Sequence, residues 1–249
     1  MIRKVIQILI WLCVFAYMAM ALAFTERMED NQKVSYIKVE LMDSTESQFV
    51  DREDVIKVLR QHGFKITGMP LDSINRSGIQ EAVFDIPEVK SAEVYYTPDG
   101  NLNIRIWQRK PVVRIKSGNL DFFLDEENMP LPFSSRFTPK VLIVTGKVNA
   151  RNARDKIFDL AVYIQKDPFF GSLIQELHVD SNQKIEIIPR IGNQRIFMGE
   201  SDDFELKLAK LKVFYEKALP NLGWEKYSSI DLRFRDQVVC KKKELSSLN

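Results

Sequence analysis

The stretch from residue 89 to residue 107 reads VKSAEVYYTPDGNLNIRIW, and it predicts the architecture of the first folded part of the chain. Its second half, residues 102–107, alternates apolar and polar side chains, which is the period of a strand with one buried face. Asp99-Gly100 suits a tight turn, because glycine accepts the positive φ that such turns require. The stretch is therefore predicted to be an antiparallel hairpin with its turn at residues 98–100.

The residues before the hairpin predict one strand and two helices. Residues 36–41 alternate like a half-buried strand. Asp51 is suited to cap the start of a helix and Gly63 to end it, and a second helix is expected over residues 77–84, ahead of a proline. The order strand, helix, helix, strand, strand suits two helices packed on one face of a small sheet, an α+β unit over residues 35–110.

The residues after the hairpin predict a second, β-rich domain with two or more helices, over residues 111–241. Residues 125–128 are interpreted as an acidic turn in which Asn128 adopts the left-handed conformation. A flexible tail is expected at residues 242–249. Residues 108–111 interrupt the second hairpin strand, and residues 112–115 resume it. The other predicted strands are residues 122–124, 141–144, 174–179, 184–189, 195–198, 229–234 and 238–240. The predicted helices are residues 152–166 and a helix that Asp202 or Asp203 caps and that ends at Leu219.

The chain begins with an apolar run at residues 5–24, VIQILIWLCVFAYMAMALAF, which contains no charged residue. A helix of that length covers the roughly 30 Å hydrocarbon core of a membrane. Arg3 and Lys4 precede the run, so the positive-inside rule predicts a cytoplasmic start at residues 1–4. A transmembrane helix at residues 5–24, a linker at residues 25–34 and an extracytoplasmic remainder then follow.

A cleaved signal peptide is the alternative to a transmembrane anchor. Ala19-Met20-Ala21 and Ala21-Leu22-Ala23 both fit the small-residue pattern of a cleavage site. The anchor is favoured, because the apolar run is longer than the 7 to 15 residues typical of a signal-peptide core. Both interpretations export the folded part of the chain.

Charge and cysteine content exclude two classes of protein. The chain carries 36 Lys and Arg against 34 Asp and Glu, and removing Arg3 and Lys4 leaves 34 against 34. No nucleic-acid partner is expected without a basic excess, and the run Lys241-Lys242-Lys243 is interpreted as part of a solvated tail. Cys13 and Cys240 lie in the apolar run and near the far end of the chain, so no disulfide framework is predicted.

No pattern of residues predicts an active site. His62 and His178 fall in different predicted domains; His62 is placed at a helix end, and His178 in a strand is expected to face solvent. The acidic residues 125–127 are adjacent on a predicted turn, where their side chains splay apart. Phosphate-binding loops, nucleophile elbows and zinc-binding helices have sequence motifs that are missing here. We therefore predict no enzyme activity, no cofactor and no metal.

Four segments carry a resemblance to a known family, and their order and spacing behind an N-terminal apolar run are more specific than any one of them. They are residues 84–94, which begin FDIPEV, residues 108–115, QRKPVVRI, residues 124–131, LDEENMPL, and residues 229–234, SIDLRF. This arrangement resembles the FtsQ/DivIB family of bacterial cell-division proteins, in which one transmembrane helix precedes a polypeptide-transport-associated (POTRA) domain and a β domain. Asn128 stands where glycine is common in that family.

The resemblance implies a non-enzymatic protein of the inner membrane at the division septum. It implies that the late strands of the β domain bind a small division protein, FtsB, which pairs with FtsL, and that the complex regulates septal peptidoglycan synthesis. Strand addition at an exposed edge is the expected mode. The expected partner-binding residues are Ile230, Leu232 and Phe234 on one face, Asp231, Arg233 and Arg235 on the other, and Val238, Val239 and Cys240 at the edge.

Two other functions stay open at the level of sequence. A POTRA-type envelope assembly or secretion factor would use the same strand addition, although a β-barrel or several POTRA repeats would be expected with it. A membrane-anchored cell-wall enzyme would need a cleft with convergent ionisable groups.

Overall fold

The computed structural model describes residues 2–29, 33–43, 49–97, 99–223 and 225–243. The chain divides into two compact units, Met1–Gln108 and Arg109–Asn249. Helix α1 (Ile2–Glu29) contains the apolar run. Within the described residues, no helix reaches the length and apolar character that a membrane crossing requires. Pro98 of the predicted turn, residues 30–32 of the predicted linker and residues 244–249 of the predicted tail lie outside the described residues.

The first unit contains the predicted order of strands and helices. Its sheet has the order β1-β3-β2, with β1 parallel and β2 antiparallel to the central strand β3. The side chains of Ile104 and Ile106 in β3 are completely buried. The elements are β1 (Ile37–Leu41), α2 (Arg52–Gln61), a 3₁₀ turn (Leu71–Ser73), α3 (Arg76–Phe84), β2 (Val89–Tyr96) and β3 (Leu102–Gln108).

Local sequence signals set the boundaries of these elements as expected. The Asp51 carboxylate accepts a hydrogen bond from the backbone N–H of Asp54, and the Asp54 carboxylate accepts one from Asp51 in return, which is a capping box. Gly63 after α2 and Gly100 in the hairpin turn both have φ near +80°. The Gly100 N–H donates to the carbonyl of Thr97 at 2.9 Å and closes the turn.

The second unit is built on one nine-stranded sheet with the order β12-β11-β10-β9-β8-β7-β4-β5-β6. Strands β4, β7 and β8 run parallel to each other, as do β10 and β11, and the other neighbours are antiparallel. The strands are β4 (Pro111–Ser117), β5 (Leu120–Asp125), β6 (Pro130–Pro132), β7 (Leu142–Gly146), β8 (Ile174–Val179), β9 (Ile185–Pro189), β10 (Arg195–Gly199), β11 (Tyr227–Asp231) and β12 (Val239–Lys242).

Helices pack on one face of this sheet and share a continuous core with it. Leu160 and Leu208 from the helices and Leu177 and Ile230 from the strands are completely buried in the same cluster. The mixed α+β class with a β-rich second domain is thus confirmed. The helices are α4 (Ala150–Asn152), α5 (Phe158–Lys166), α6 (Pro168–Leu173), α7 (Phe204–Val213) and α8 (Leu219–Leu222), with π-helical turns at Ala153–Ile157 and Phe214–Ala218.

Helix α6 and strand β6 were not predicted. The structure places α6 directly after the helix that was expected to stop before Pro168, because the Asp167 carboxylate accepts hydrogen bonds from the N–H groups of Phe169 and Phe170 and caps a new helix. Strand β6 has two prolines in three residues and lies at the edge of the sheet, which is where a strand tolerates proline.

Other predictions were wrong in detail. Asp203 precedes α7 in the left-handed conformation and makes no side-chain capping bond, whereas the Asp202 carboxylate accepts a hydrogen bond from the Lys207 ammonium instead. Strand β11 begins at Tyr227 and ends at Asp231, so it lies earlier than the predicted residues 229–234. Strand β12 extends to Lys242, one residue into the predicted tail.

Gly146 at the end of β7 is required by the packing of β8. Its φ is +93°, and a Cβ atom there would lie 2.0 Å from the backbone oxygen of Val179. Gly118 in the turn between β4 and β5 also has a positive φ of +57°, but nothing lies within 4 Å of its Cβ position. A side chain at Gly118 would introduce backbone strain alone, whereas a side chain at Gly146 would add a steric overlap with β8.

We expect Gly146→Ala to lower the free energy of unfolding by roughly 3 kcal/mol or more, because the β8 backbone must move. Gly118→Ala should cost only the left-handed backbone strain, about 1 kcal/mol. Urea unfolding of the full chain in mild detergent, followed by circular dichroism, measures both. Equal midpoints for the two variants would show that β8 does not constrain Gly146.

Candidate functional site

Strand β12 forms one end of the nine-stranded sheet. It pairs antiparallel with β11, so that Cys240 lies opposite Ile230 and Val239 opposite Asp231. Strand β11 in turn pairs parallel with β10, with Ile230 beside Ile196 in the core. The register is therefore set by the buried face, since a slip of one residue would turn Ile230 away from the core.

The backbone groups of β12 alternate between β11 and the free side. The Lys243 N–H donates to the carbonyl of Lys226 at 3.0 Å, so Lys243 faces β11. By the alternation of an antiparallel pair, Val239 and Lys241 also direct their N–H and C=O groups at β11. The N–H and C=O groups of Cys240 and the N–H of Lys242 are directed to the other side, where the described chain provides no further strand. The Lys242 carbonyl accepts a hydrogen bond from the Ser228 hydroxyl at 3.4 Å, where the register between β11 and β12 shifts.

The opposite end of the sheet is closed to further pairing. The Asp125 N–H donates to the carbonyl of Met129 at 3.0 Å, so Met129 faces β5 and alternation turns Pro130 and Pro132 outward in β6. Both outward positions of this edge strand therefore lack an N–H donor. Proline at a sheet edge is a recognised protection against unwanted strand pairing.

A lysine from helix α7 holds the loop that leads from β11 to β12. The Lys210 ammonium donates to the carbonyls of Leu232 at 3.1 Å and Arg235 at 3.2 Å, and also to that of Phe234. The Leu232 N–H donates to the carbonyl of Phe197 in β10 at 2.9 Å. The loop is thus attached both to the helix layer and to the sheet.

A charged pair on the other face of the sheet, away from the helices, stabilises the end of β11. The Arg233 side chain donates to both carboxylate oxygens of Asp231, at 2.9 and 3.1 Å from Nε, and the Arg233 backbone N–H donates to the same carboxylate. These hydrogen bonds hold the pKa of Asp231 below its ordinary value. The guanidinium groups of Arg195 and Arg233 both lie over the ring of Phe197, at 5.2 and 5.6 Å from its centroid.

The expected partner-binding residues divide into accessible and buried groups. Ile230 and Leu232 are completely buried and belong to the core. Phe234 was expected on the same face, but it lies beyond the end of β11 and is 45% exposed. Val239 is 40% exposed. Asp231, Val238 and Cys240 are half-buried, whereas Arg233 and Arg235 are exposed. Burial raises the pKa of the Cys240 thiol.

Three lysines that the structure places in or beside this region were not predicted as site residues. Lys210 acts on the loop from 22 to 25 residues away in sequence, so no local pattern identifies it. Lys241 and Lys242 were assigned to a solvated tail, whereas both lie in β12. Their position in a strand follows from pairing with β11, which a run of three lysines does not indicate.

The groups that could have formed an active site have structural partners instead. His62 pairs with Asp85 at 2.8 Å, and His178, which was expected to face solvent, is half-buried with its Nδ1 atom 2.9 Å from the Thr145 hydroxyl. The buried Asp125 carboxylate pairs with Arg109 at 2.7 Å and accepts hydrogen bonds from two backbone N–H groups of its turn. Among the described residues, no three metal-ligating side chains come together.

Comparison with known proteins agrees with this architecture. Residues 110–241 match the family model described as FtsQ/DivIB, C-terminal related, and residues 32–107 match a POTRA-like domain. The cell division protein FtsQ of Rhodothermus marinus is 27% identical over 188 residues, which cover 70% of this chain and 68% of that protein. The first match extends over more than half of the chain and confirms the resemblance found in the sequence, so the chain belongs to the FtsQ/DivIB family of bacterial cell-division proteins.

Proposed function

We propose that this protein is a non-enzymatic scaffold of the division machinery whose β12 edge binds an extended segment of an FtsB-like partner. That partner associates with an FtsL-like protein, and the assembly regulates septal peptidoglycan synthesis. One observation carries the proposal: the nine-stranded sheet has two ends, and only the β12 end keeps its outward N–H donors, because prolines occupy the outward positions of β6.

The mechanism is the addition of a tenth strand. The outward N–H and C=O groups of Cys240 and the outward N–H of Lys242 supply main-chain hydrogen bonds to the incoming segment. Affinity then depends on how little ordering the edge needs before it binds. The contacts of Lys210 with the loop carbonyls and the pairing of Asp231 with Arg233 support an edge that is already ordered.

Membrane attachment is the second part of the proposal. Residues 5–24 anchor the protein in the inner membrane, with residues 1–4 in the cytoplasm and both folded units outside. Tethering confines the scaffold and its membrane-bound partners near one surface and raises their effective concentration. The POTRA domain, residues 35–110, takes part in recruiting the protein to the septum, and the β domain, residues 111–241, provides the binding edge.

A backbone change at the edge tests the binding mode. Cys240→Pro removes an outward N–H donor and should weaken binding of the FtsB-like partner by more than about tenfold. Cys240→Ala keeps that donor and should lose far less. Val239→Pro removes a donor that faces β11, so it should detach β12 and abolish binding while leaving the POTRA domain folded. Co-purification and titration with the partner encoded in the same genome measure these effects.

The comparison of Cys240→Pro with Cys240→Ala decides between main-chain and side-chain recognition. Equal losses for the two variants would mean that the thiol, not the ladder of backbone hydrogen bonds, binds the partner. Unchanged co-purification with Val239→Pro would show that β12 is not the binding edge. Circular dichroism of each variant provides the folding control.

Replacing residues 5–24 with a cleavable leader tests the anchor. The exported protein should bind its FtsB-like partner in solution as well as the full chain does, but division should fail, because the scaffold is no longer concentrated at the membrane. A fluorescent fusion of the full chain should form a midcell band, and depletion should produce filamentous cells. Full rescue of division by the leader version would remove the anchor from the mechanism.

A further inference from the structure

Lys241 and Lys242 are two exposed positive charges on the free edge of the sheet. Neither ammonium group forms an ion pair with a described residue, whereas the adjacent Lys243 pairs with Glu225 at 2.7 Å. Residues 5–249 contain equal numbers of basic and acidic residues, so two adjacent cations that have no ion-pair partner among the described residues are a local feature. Their location on the proposed binding edge suggests that they act on the partner.

The two lysines lie on opposite faces of the sheet. Val239 is opposite Asp231, whose neighbour Phe197 lies on the face away from the helices, and Lys241 follows Val239 by two residues on that face. Cys240 is opposite the buried Ile230. Lys242 therefore lies on the helix-covered face, opposite Tyr227, whose ring lies 6.1 Å from that of Phe214.

Each face of β12 thus presents one apolar or weakly polar side chain followed by one lysine. The face away from the helices has Val239 and then Lys241, and the helix-covered face has Cys240 and then Lys242. A strand added to this edge would place one residue beside each of these four, at the cross-strand spacing of about 5 Å. Opposite charges at that spacing attract, and like charges repel.

We propose that the β12 edge selects a partner strand with two consecutive acidic residues next to two consecutive apolar residues. In an antiparallel addition the acidic pair comes first along the partner, and in a parallel addition the apolar pair comes first. The inference rests on the proposed function of β12 and specifies the chemistry of the segment that it binds.

The same lysines oppose pairing between two copies of this chain. Lysine on an edge strand is a common protection against self-association, because a second copy brings a second set of positive charges to the edge. An acidic strand from another protein removes that repulsion. The charge pattern therefore favours an acidic partner strand over a second copy of β12.

Blocked synthetic peptides test the inference on the full chain in detergent. The probes are Thr-Thr-Glu-Glu-Val-Val-Thr-Thr, its reverse order Thr-Thr-Val-Val-Glu-Glu-Thr-Thr, and versions of both with lysine in place of glutamate. We expect one acidic peptide to bind at least about tenfold more tightly than its lysine version, and the preference to shrink as salt increases. The preferred order of the acidic peptide reports the strand direction.

Charge exchange is the decisive measurement. K241E/K242E should reverse the preference, so that the lysine peptide binds about tenfold more tightly than the acidic one. The control K116E/K147E makes the same change in net charge at exposed positions away from β12 and should leave the preference as it was. An equal effect of the control would assign the preference to the overall charge and overturn the inference.

The remaining outcomes separate this inference from the proposed function. If the FtsB-like partner binds and Cys240→Pro prevents it, but K241E/K242E changes neither partner nor peptide binding, then β12 is the edge and its lysines do not select the strand. If the neutral variant K241Q/K242Q promotes self-association while K241E/K242E leaves the peptide preference unchanged, the lysines act solely as a protection of the edge. If Cys240→Pro has no effect on partner binding while the acidic peptide keeps its charge preference, the proposed binding site is wrong and the peptide specificity stands.

Discussion

An open β-sheet ends in two rows of backbone N–H and C=O groups, and each row must be blocked, hydrated or paired. The two ends of the nine-stranded sheet of this protein differ in their free N–H donors. Pro130 and Pro132 remove the outward donors from β6, and the three-residue length of that strand limits the edge further. The β12 end keeps its donors. This asymmetry makes one end of the sheet available to a partner without making the whole sheet prone to association.

Keeping an edge open is useful only if the edge is already in place when a partner arrives. Strand β12 has four residues and one neighbouring strand, which is little support by itself. The register is fixed by Ile230, which continues the core row that includes Ile196. The loop before β12 is held by Lys210, whose ammonium donates hydrogen bonds to carbonyls that would otherwise need water. Strand β12 is thus ordered when the chain folds, so the entropy cost of ordering it does not reduce the affinity for a partner.

Sequence patterns predicted the elements that depend on neighbours in the chain. The hairpin around Gly100, the cap at Asp51 and the left-handed Asn128 each follow from local backbone preferences, and all three are present. The same reasoning ended a helix before Pro168 and did not recognise that Asp167 begins another one. It also ran the late strand to Phe234, because alternation continues there even though pairing stops at Asp231.

The candidate site was only partly predictable, because its important features depend on contacts that are distant in sequence. The family resemblance identified residues 230–240, and local alternation suggested which of them share a face. The sequence could not tell which N–H groups of β12 face β11 and which face outward. The hydrogen bond from the Lys243 N–H to the Lys226 carbonyl establishes this alternation. The role of Lys210 required the position of α7 relative to the loop. A run of lysines has no strand signature of its own, so Lys241 and Lys242 become part of an edge only through pairing with β11.

Backbone and side chains contribute different properties to such an edge. The free N–H groups form the same hydrogen bonds with any partner segment that adopts an extended conformation. They therefore supply affinity but no sequence specificity. Sequence specificity must come from the side chains beside the added strand. In β12 these include Lys241 and Lys242, whose charges have no partner within the described residues. Residues 5–249 carry no net charge, so attraction of a partner at long range is weak. Selection therefore acts after contact, within a Debye length of about 10 Å. A sheet edge of this kind discriminates by the stability of the complex more than by the rate of encounter.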